Sequence, residues 1–90
     1  MNYTLIYSNR AIKSLKQIPI EYSEKIMDGL DSLAGEADPK KHVKKIKGNH
    51  QPPFYSLRMG DYRVILTIIE DKMIIHVVEA GHRSKIYRNY

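Results

Sequence analysis

Apolar residues in the first part of the chain change from a strand-like to a helix-like spacing. The segment YTLIYS at residues 3–8 is short and rich in aromatic and β-branched residues, which predicts a first strand. Ser8 or Asn9 can cap the helix that follows, because the next apolar positions recur at helical spacing: Ala11, Ile12, Leu15 and Ile18.

A second helix is predicted after Pro19, which ends the first helix and suits the first turn of the next. Gly35 is its predicted end. One stripe of this helix is apolar and is expected to face the core: Tyr22, Ile26, Met27, Leu30, Leu33 and Ala34. The two helices should form an antiparallel hairpin.

Three strands are predicted in the second half, at residues 54–59, 62–70 and 72–80. The connections GD and EDK are short enough for hairpins, so the strands should form an antiparallel meander. Residues 38–53 contain three prolines and a glycine and are predicted to be a loop with room for one helical turn around KKHVKKIKG. The expected fold class is α+β: one mostly antiparallel sheet that includes the N-terminal strand, with the helices on one face.

The middle strand of the meander has two largely apolar faces. Tyr62, Val64, Leu66 and Ile68 alternate with Arg63, Ile65, Thr67 and Ile69. One face should pack on the helices, and the other is covered by the C-terminal tail or by a partner, or stays partly uncovered. The strand at 72–80 is predicted to end at Ala80, so that the tail after it would be dispensable for folding. We expect one domain over residues 1–90.

Charge is distributed unevenly along the chain, whose net charge is +5. Residues 19–39 contain six acids and one base, residues 40–63 contain seven bases and one acid, and residues 81–90 contain three bases and no acid. A protein with one acidic and one strongly basic surface is suited to a polyanion, and nucleic acid is the first candidate. Lysine runs are also ordinary solubilising surface, so the run alone does not decide between these readings.

The composition also bears on the compartment. The chain has no cysteine and therefore no disulfides. The segment MNYTLIYSNR is not typical of a signal peptide, and no apolar run approaches the ~18 residues of a membrane span. We expect a cytoplasmic protein without a membrane partner.

Several kinds of chemistry have no motif in the sequence. The four histidines and the scattered acids show no metal-ligand spacing. There is no phosphate-binding glycine loop, no Gly-x-Ser-x-Gly and no cysteine nucleophile. We therefore expect neither a metal nor a cofactor, and the remaining chemistry depends on arginine, lysine, histidine and tyrosine.

Such side chains can cleave RNA without a metal, because RNA provides its own nucleophile in the 2′-hydroxyl. Cleavage requires cations for the phosphate, a base and an acid. Arg58 and Arg63 are predicted near the same end of adjacent strands, and Arg83 and Tyr87 share a face if the tail forms a helical turn. In the simpler interpretation the tail tyrosines dock on the sheet and the arginines are solvated.

The run FYSLRMGDYRVILTIIEDKMIIHVVEAGHRSKIYRNY, preceded by KKIKGN, resembles the RelE toxins of the RelE/ParE superfamily. The resemblance covers nearly the whole chain, and its specific parts are the GDYRV hairpin and the closing GHRSKIYR. It implies a toxin that cleaves messenger RNA in the ribosomal A site and is held inactive by a cognate antitoxin. In that picture Tyr87 is the general base, Arg83 assists the leaving oxygen and Arg63 stabilises the transition state.

The basic surface around this set supplies the expected RNA-binding residues: Lys44, Lys45, Lys47, Arg58, His82, Lys85 and Arg88. The sequence departs from the family at Phe54 and Ser56, where the best-known bacterial members have lysines. Lys45, Lys47, Arg58 or His82 are candidates to replace them.

Two alternatives stay open. The ParE branch of the superfamily has the same scaffold and inhibits DNA gyrase by binding. A non-catalytic RNA-binding module would use exposed aromatic residues among bases, for which Phe54, Tyr55 and Tyr62 are candidates if they are not core.

Overall fold

A computed structural model describes residues 2–86 and Tyr90 of the chain. Its elements follow the order β1 (Thr4–Tyr7), α1 (Asn9–Lys16), α2 (Ile20–Ala34), β2 (Lys44–Lys45), β3 (Tyr55–Met59), β4 (Tyr62–Ile69) and β5 (Ile74–His82), with a 3-10 turn at Pro39–His42. The α+β class, the helical hairpin and the meander are confirmed. None of the helices in this part of the chain is long and apolar enough to cross a bilayer.

The five strands form one sheet in the order β1-β5-β4-β3-β2. β1 pairs with β5 in parallel, and every other pair is antiparallel. β2 was not predicted, because two adjacent lysines give no strand pattern. Lysines are well suited to this place, since β2 lies at an edge of the sheet and charged side chains there discourage further strand pairing.

Both helices pack on one face of the sheet. The core between the layers contains Ala11 and Leu15 of α1, Leu30 of α2, and Val64 and Leu66 of β4. One face of β4 was predicted to pack on the helices, and the structure shows that it is the face of the even-numbered residues. Ser8 caps α1, as its Oγ accepts a hydrogen bond from the Ala11 N–H at 3.0 Å.

The predicted apolar stripes were partly wrong. Ile12, Tyr22 and Met27 are exposed, and Ser23 is buried instead. Ser23 can be buried because its hydroxyl donates to the Ile20 carbonyl oxygen at 3.2 Å, which satisfies the polar group within the helix. α2 is therefore rotated so that Tyr22 lies at its margin.

The last strand was predicted two residues too early. The turn before it extends to Met73, whose φ of 52° is in the left-handed region and whose N–H bonds to the Glu70 carbonyl. β5 accordingly begins at Ile74 and continues past Ala80 to His82. The register shifts between Ile65 and Leu66 of β4, opposite Glu79 and Val77, which leaves Val78 as an extra residue.

Candidate nucleic-acid interface

Two arginines face each other across the β3–β4 hairpin. Arg58 and Arg63 are paired in register, next to the turn formed by Gly60 and Asp61. Gly60 has φ of 62°, which explains why glycine stands in this turn. Because side chains alternate along a strand and Leu57 and Val64 belong to the helix-side core, both arginines lie on the opposite face of the sheet.

Arg83 is brought to the same end of the sheet by the backbone. Its N–H donates to the Asp61 carbonyl oxygen at 2.9 Å, and Gly81 pairs with Arg63 across β4 and β5. Arg83 is exposed, whereas Arg63 is half-buried. The structure thus gathers three arginines around one hairpin turn. Two further predicted site residues, Tyr87 and Arg88, lie outside the described residues.

His82 lies on the other side of this turn. It pairs with Tyr62, and the two rings meet edge to face with centroids 5.8 Å apart. Tyr62 packs against the helix-side core, so His82 does not share a face with Arg58 and Arg63. Its Nδ1 is 2.8 Å from the Ser84 Oγ. Lys85 is exposed in the turn that follows, and its N–H donates to the His82 carbonyl.

The predicted lysines occupy the β2 edge. Lys44 pairs with Ser56 and Lys45 with Tyr55, so that only Lys44 of this pair is on the face of Arg58. Lys47 is exposed beyond the strand. Lys44 extends the row of positive charge toward the edge, since Ser56 is two residues before Arg58 on the same strand.

The C-terminal segment covers part of the sheet face on which Arg58 and Arg63 lie, which we call the arginine face. Ile86 is only 4% exposed and lies over Gly81, where an added Cβ would come within 3.1 Å of the Ile86 Cδ1. Tyr90 packs on Phe54 with ring centroids 5.2 Å apart. Its hydroxyl donates to the Glu79 Oε1 at 2.8 Å, and the Arg10 Nε is 3.4 Å from the same oxygen.

Burial, together with the hydrogen bond to Glu79, raises the pKa of Tyr90 to about 12. The predicted end of the last strand at Ala80 was wrong, because β5 continues to His82. Since Ile86 is also buried, we now expect the tail to contribute to folding.

The two positions without the family lysines have other roles. Ser56 is buried. Phe54 packs between the rings of Tyr90 and His50, the latter with centroids 4.6 Å away. Neither position supplies a cation, so on the strands of the described part of the chain Arg58, Arg63 and Lys44 contribute positive charge to this face.

The sequence reading missed an aromatic cluster on the helix side of the turn. The ring of Tyr22 lies 5.4 Å from that of Tyr62, which in turn contacts His82. Together with Lys25 of α2 these residues line a cavity of about 480 Å³. The sequence feature that pointed to this site was Lys25, because it is the single base in residues 19–39, which also contain six acids.

Acidic and imidazole side chains are dispersed in the described ranges, 2–86 and 90, where no three of them are placed to hold a metal ion.

Comparison with known proteins agrees with the fold and with the family. Residues 5–87 match the family described as ParE toxin of type II toxin-antitoxin system, parDE. Toxin RelE3 of Methanocaldococcus jannaschii is 29% identical over 92% of this chain and 93% of its own length. The mRNA interferase toxin RelE of Escherichia coli is 25% identical over 97% of this chain and 92% of its own length.

Among solved structures, the archaeal RelE-RelB complex from Pyrococcus horikoshii contains a chain with the same fold. The TM-score is 0.75 at 25% identity, with 94% of this chain and 99% of that chain covered. The chain studied here belongs to the ParE toxin family of type II toxin-antitoxin systems, and within it the protein is a RelE-type toxin.

Proposed function

We propose that this toxin inhibits translation by cleaving messenger RNA in the ribosomal A site without a metal ion. The observation that carries the proposal is the meeting of Arg58, Arg63 and Arg83 at one hairpin turn. Like charges placed directly opposite on neighbouring strands are unfavourable for folding. A phosphate group compensates such a cost, because it accepts charge-assisted hydrogen bonds from several guanidinium groups at once.

The proposed reaction requires few groups besides these three arginines. The 2′-oxygen of the RNA attacks the adjacent phosphorus, the bond to the 5′-oxygen breaks, and a 2′,3′-cyclic phosphate is formed. Arg63 stabilises the charge that develops on the phosphate, and Arg83 assists the departing oxygen. Tyr87 takes the 2′-hydroxyl proton, for which nearby cations have to lower its pKa.

The remaining basic residues bind RNA rather than react with it. Their targets are the phosphates of the message and of ribosomal RNA, so that the action takes place in the cytoplasm. The proposed set is Lys44, Lys45, Lys47, Arg58, His82, Lys85 and Arg88. Among the described members of this set, Arg58 and His82 lie on opposite faces of the sheet at the hairpin turn.

A cognate antitoxin is the proposed regulatory partner. The relative from Pyrococcus horikoshii was solved as a complex of RelE with RelB. For this chain we propose an antitoxin segment with acidic and apolar residues that folds on binding. It covers Arg63 and Arg83, or displaces the tail that carries Tyr87.

Cell-free translation tests the proposed reaction. Messenger RNA ends are mapped with and without ribosomes for the wild-type protein, Arg83→Ala and Tyr87→Phe. Lys72→Ala is the matched control, because Lys72 is an exposed base in the opposite turn. We expect ribosome-dependent cleavage that is retained in Lys72→Ala and lost in Arg83→Ala. Intact messages with normal translation would refute the proposal.

Inhibition of DNA gyrase by binding is the second candidate. It is favoured by Phe54 and Ser56, which place packed side chains where the family lysines are expected. A gyrase supercoiling assay with the same variants separates the candidates. Inhibition of supercoiling without cleavage of the message would favour gyrase.

A further inference from the structure

A recessed surface lies on the helix side of the β3–β4 turn, across the sheet from Arg58 and Arg63. The cavity of about 480 Å³ opens between α2 and the β3–β4 turn, in the size range of small-molecule sites. Tyr22, Lys25, Met59, Asp61, Tyr62 and His82 are among its lining residues. Its walls thus combine aromatic rings with one basic and one acidic side chain.

The aromatic rings form a connected series. Tyr22 and Tyr62 are inclined by 38° with centroids 5.4 Å apart, and His82 meets Tyr62 edge to face at 80°. Tyr22 is 44% exposed although it stands next to the apolar stripe of α2. A large ring left open beside other rings is a suitable platform for a nucleobase, since every base has a π-face that stacks on aromatic side chains.

The charges around the platform are suited to a nucleotide. Lys25 is the single base in an otherwise acidic segment, and it lies at this cavity. Its ammonium group can bind a phosphate. Asp61 supplies carboxylate oxygens, which accept hydrogen bonds from the exocyclic amino groups of adenine, cytosine and guanine. Uracil has no such group.

The cavity and the arginines are adjacent along the chain. Tyr62 precedes Arg63 and His82 precedes Arg83, and within each pair the first residue belongs to the cavity. Because consecutive strand residues point to opposite faces, the two sites lie on either side of the Gly60–Asp61 turn, and an RNA strand that crosses this turn can present a phosphate to the arginines and a base to the rings.

We propose that this cavity binds one unstacked, amino-bearing nucleobase of single-stranded RNA, across the β3–β4 turn from the phosphate that Arg63 and Arg83 hold. The inference rests on the proposed function for the identity of the RNA target. It adds a base-binding site that contributes affinity and base preference without taking part in bond breaking.

Binding is tested without cleavage. Short oligoribonucleotides with 2′-O-methyl groups have no nucleophile, so they can be titrated into the wild-type protein while the aromatic signals are followed by NMR. We expect the signals of Tyr22, Tyr62 and His82 to shift, and oligo(A) and oligo(C) to bind more tightly than oligo(U). Asp61→Ala should abolish that preference.

Two variants of Tyr22 measure how much its ring contributes to the affinity for RNA. Tyr22→Leu should weaken binding at least about fivefold, because stacking of one base on an aromatic side chain contributes this much. Tyr22→Phe keeps the ring and should retain the wild-type affinity. Lys25→Gln should reduce the slope of log affinity against log salt by about 0.7, the value for one phosphate contact on a single strand.

The outcomes separate the two proposals. Binding that shifts only residues of the arginine face, or that is equal in Tyr22→Leu and Tyr22→Phe, would overturn the base site even if the message is cleaved. Shifts of the three rings with a protein that leaves messages intact would support the base site and refute the proposed reaction.

Discussion

The hydroxyl of Tyr90 donates a hydrogen bond to the Glu79 Oε1 at 2.8 Å, which ties the tail to the face of β5 that carries no helix. Arg10 approaches the same oxygen from α1, and Phe54 supports the tyrosine ring. Together with the buried Ile86, this bond holds the segment after β5 at two places. The proposed base, Tyr87, lies between them in the sequence.

Removal of this hydrogen bond should lower stability. Tyr90→Phe keeps the ring contact with Phe54 but leaves Glu79 without the hydroxyl donor, so the free energy of unfolding should fall by about 1 kcal/mol. Urea unfolding measures the change. Tyr22→Phe is the control, because that exposed tyrosine should tolerate the loss of its hydroxyl. Equal stability of the two variants would show that the bond to Glu79 contributes nothing.

The same tyrosine should make stability depend on alkaline pH. Its pKa is raised to about 12 in the folded protein, above its usual value of 10.0. The folded state therefore retains the proton more strongly than the unfolded state. The stabilisation is complete below pH 10 and is lost as the pH rises toward 12. Across this pH interval the free energy of unfolding should fall less steeply for Tyr90→Phe than for the wild-type protein. Equal slopes for the two proteins would contradict the assignment of this effect to Tyr90.

Ile86 should be a stabilising residue. Ile86→Ala removes a side chain that is 4% exposed, and we expect a loss of about 2 to 4 kcal/mol in the free energy of unfolding. Gly81→Ala alone should be unfavourable, because its methyl group would lie 3.1 Å from the Ile86 Cδ1.

The double variant of Gly81→Ala and Ile86→Ala lacks the Ile86 Cδ1. The new methyl group at position 81 then partly fills the space that the Ile86 side chain leaves. Gly81→Ala should therefore partly restore the stability of Ile86→Ala, as a double-mutant cycle would show. Additive losses would indicate that the two residues do not contact each other.

Arg58 should be favourable for activity and unfavourable for folding. Arg58→Glu places an acid opposite Arg63 and should raise the free energy of unfolding by about 0.2 to 1 kcal/mol, while cleavage of the message falls at least about tenfold. The stability of Arg58→Gln should lie between that of the wild-type protein and that of Arg58→Glu. A variant with lower stability than wild type would refute the unfavourable effect of the arginine pair.

Local rules were sufficient for much of the fold. The sequence offered Ser8 or Asn9 as the cap of α1, and the structure selects Ser8. The hairpin turn predicted at Gly60 and Asp61 is present, and the positive φ of Gly60 accounts for the glycine there. The hairpin turn also brought Arg58 and Arg63 to the same end of neighbouring strands, as predicted. The separation of the two faces of β4 followed from simple alternation.

Other features depended on distant contacts. The irregular register at Val78 is supported from α1, because its carbonyl oxygen accepts from the Ser8 Oγ at 2.7 Å. The exposure of Tyr22 depended on a hydrogen bond of Ser23 that no periodicity reveals. The position of Arg83 followed from the extension of β5 past Ala80, since residue spacing alone leaves it in a tail.

The parallel pairing of β1 with β5 also has a consequence for biosynthesis. β1 is translated well before its partner, which is complete only when residues 74–82 have been made. Contacts between such distant segments form late, because a long loop has to be closed first. The pairing of β5 with β4 is also what brings Arg83 beside Arg63. If the proposed function holds, a nascent chain therefore lacks the assembled arginine set until β5 has been translated.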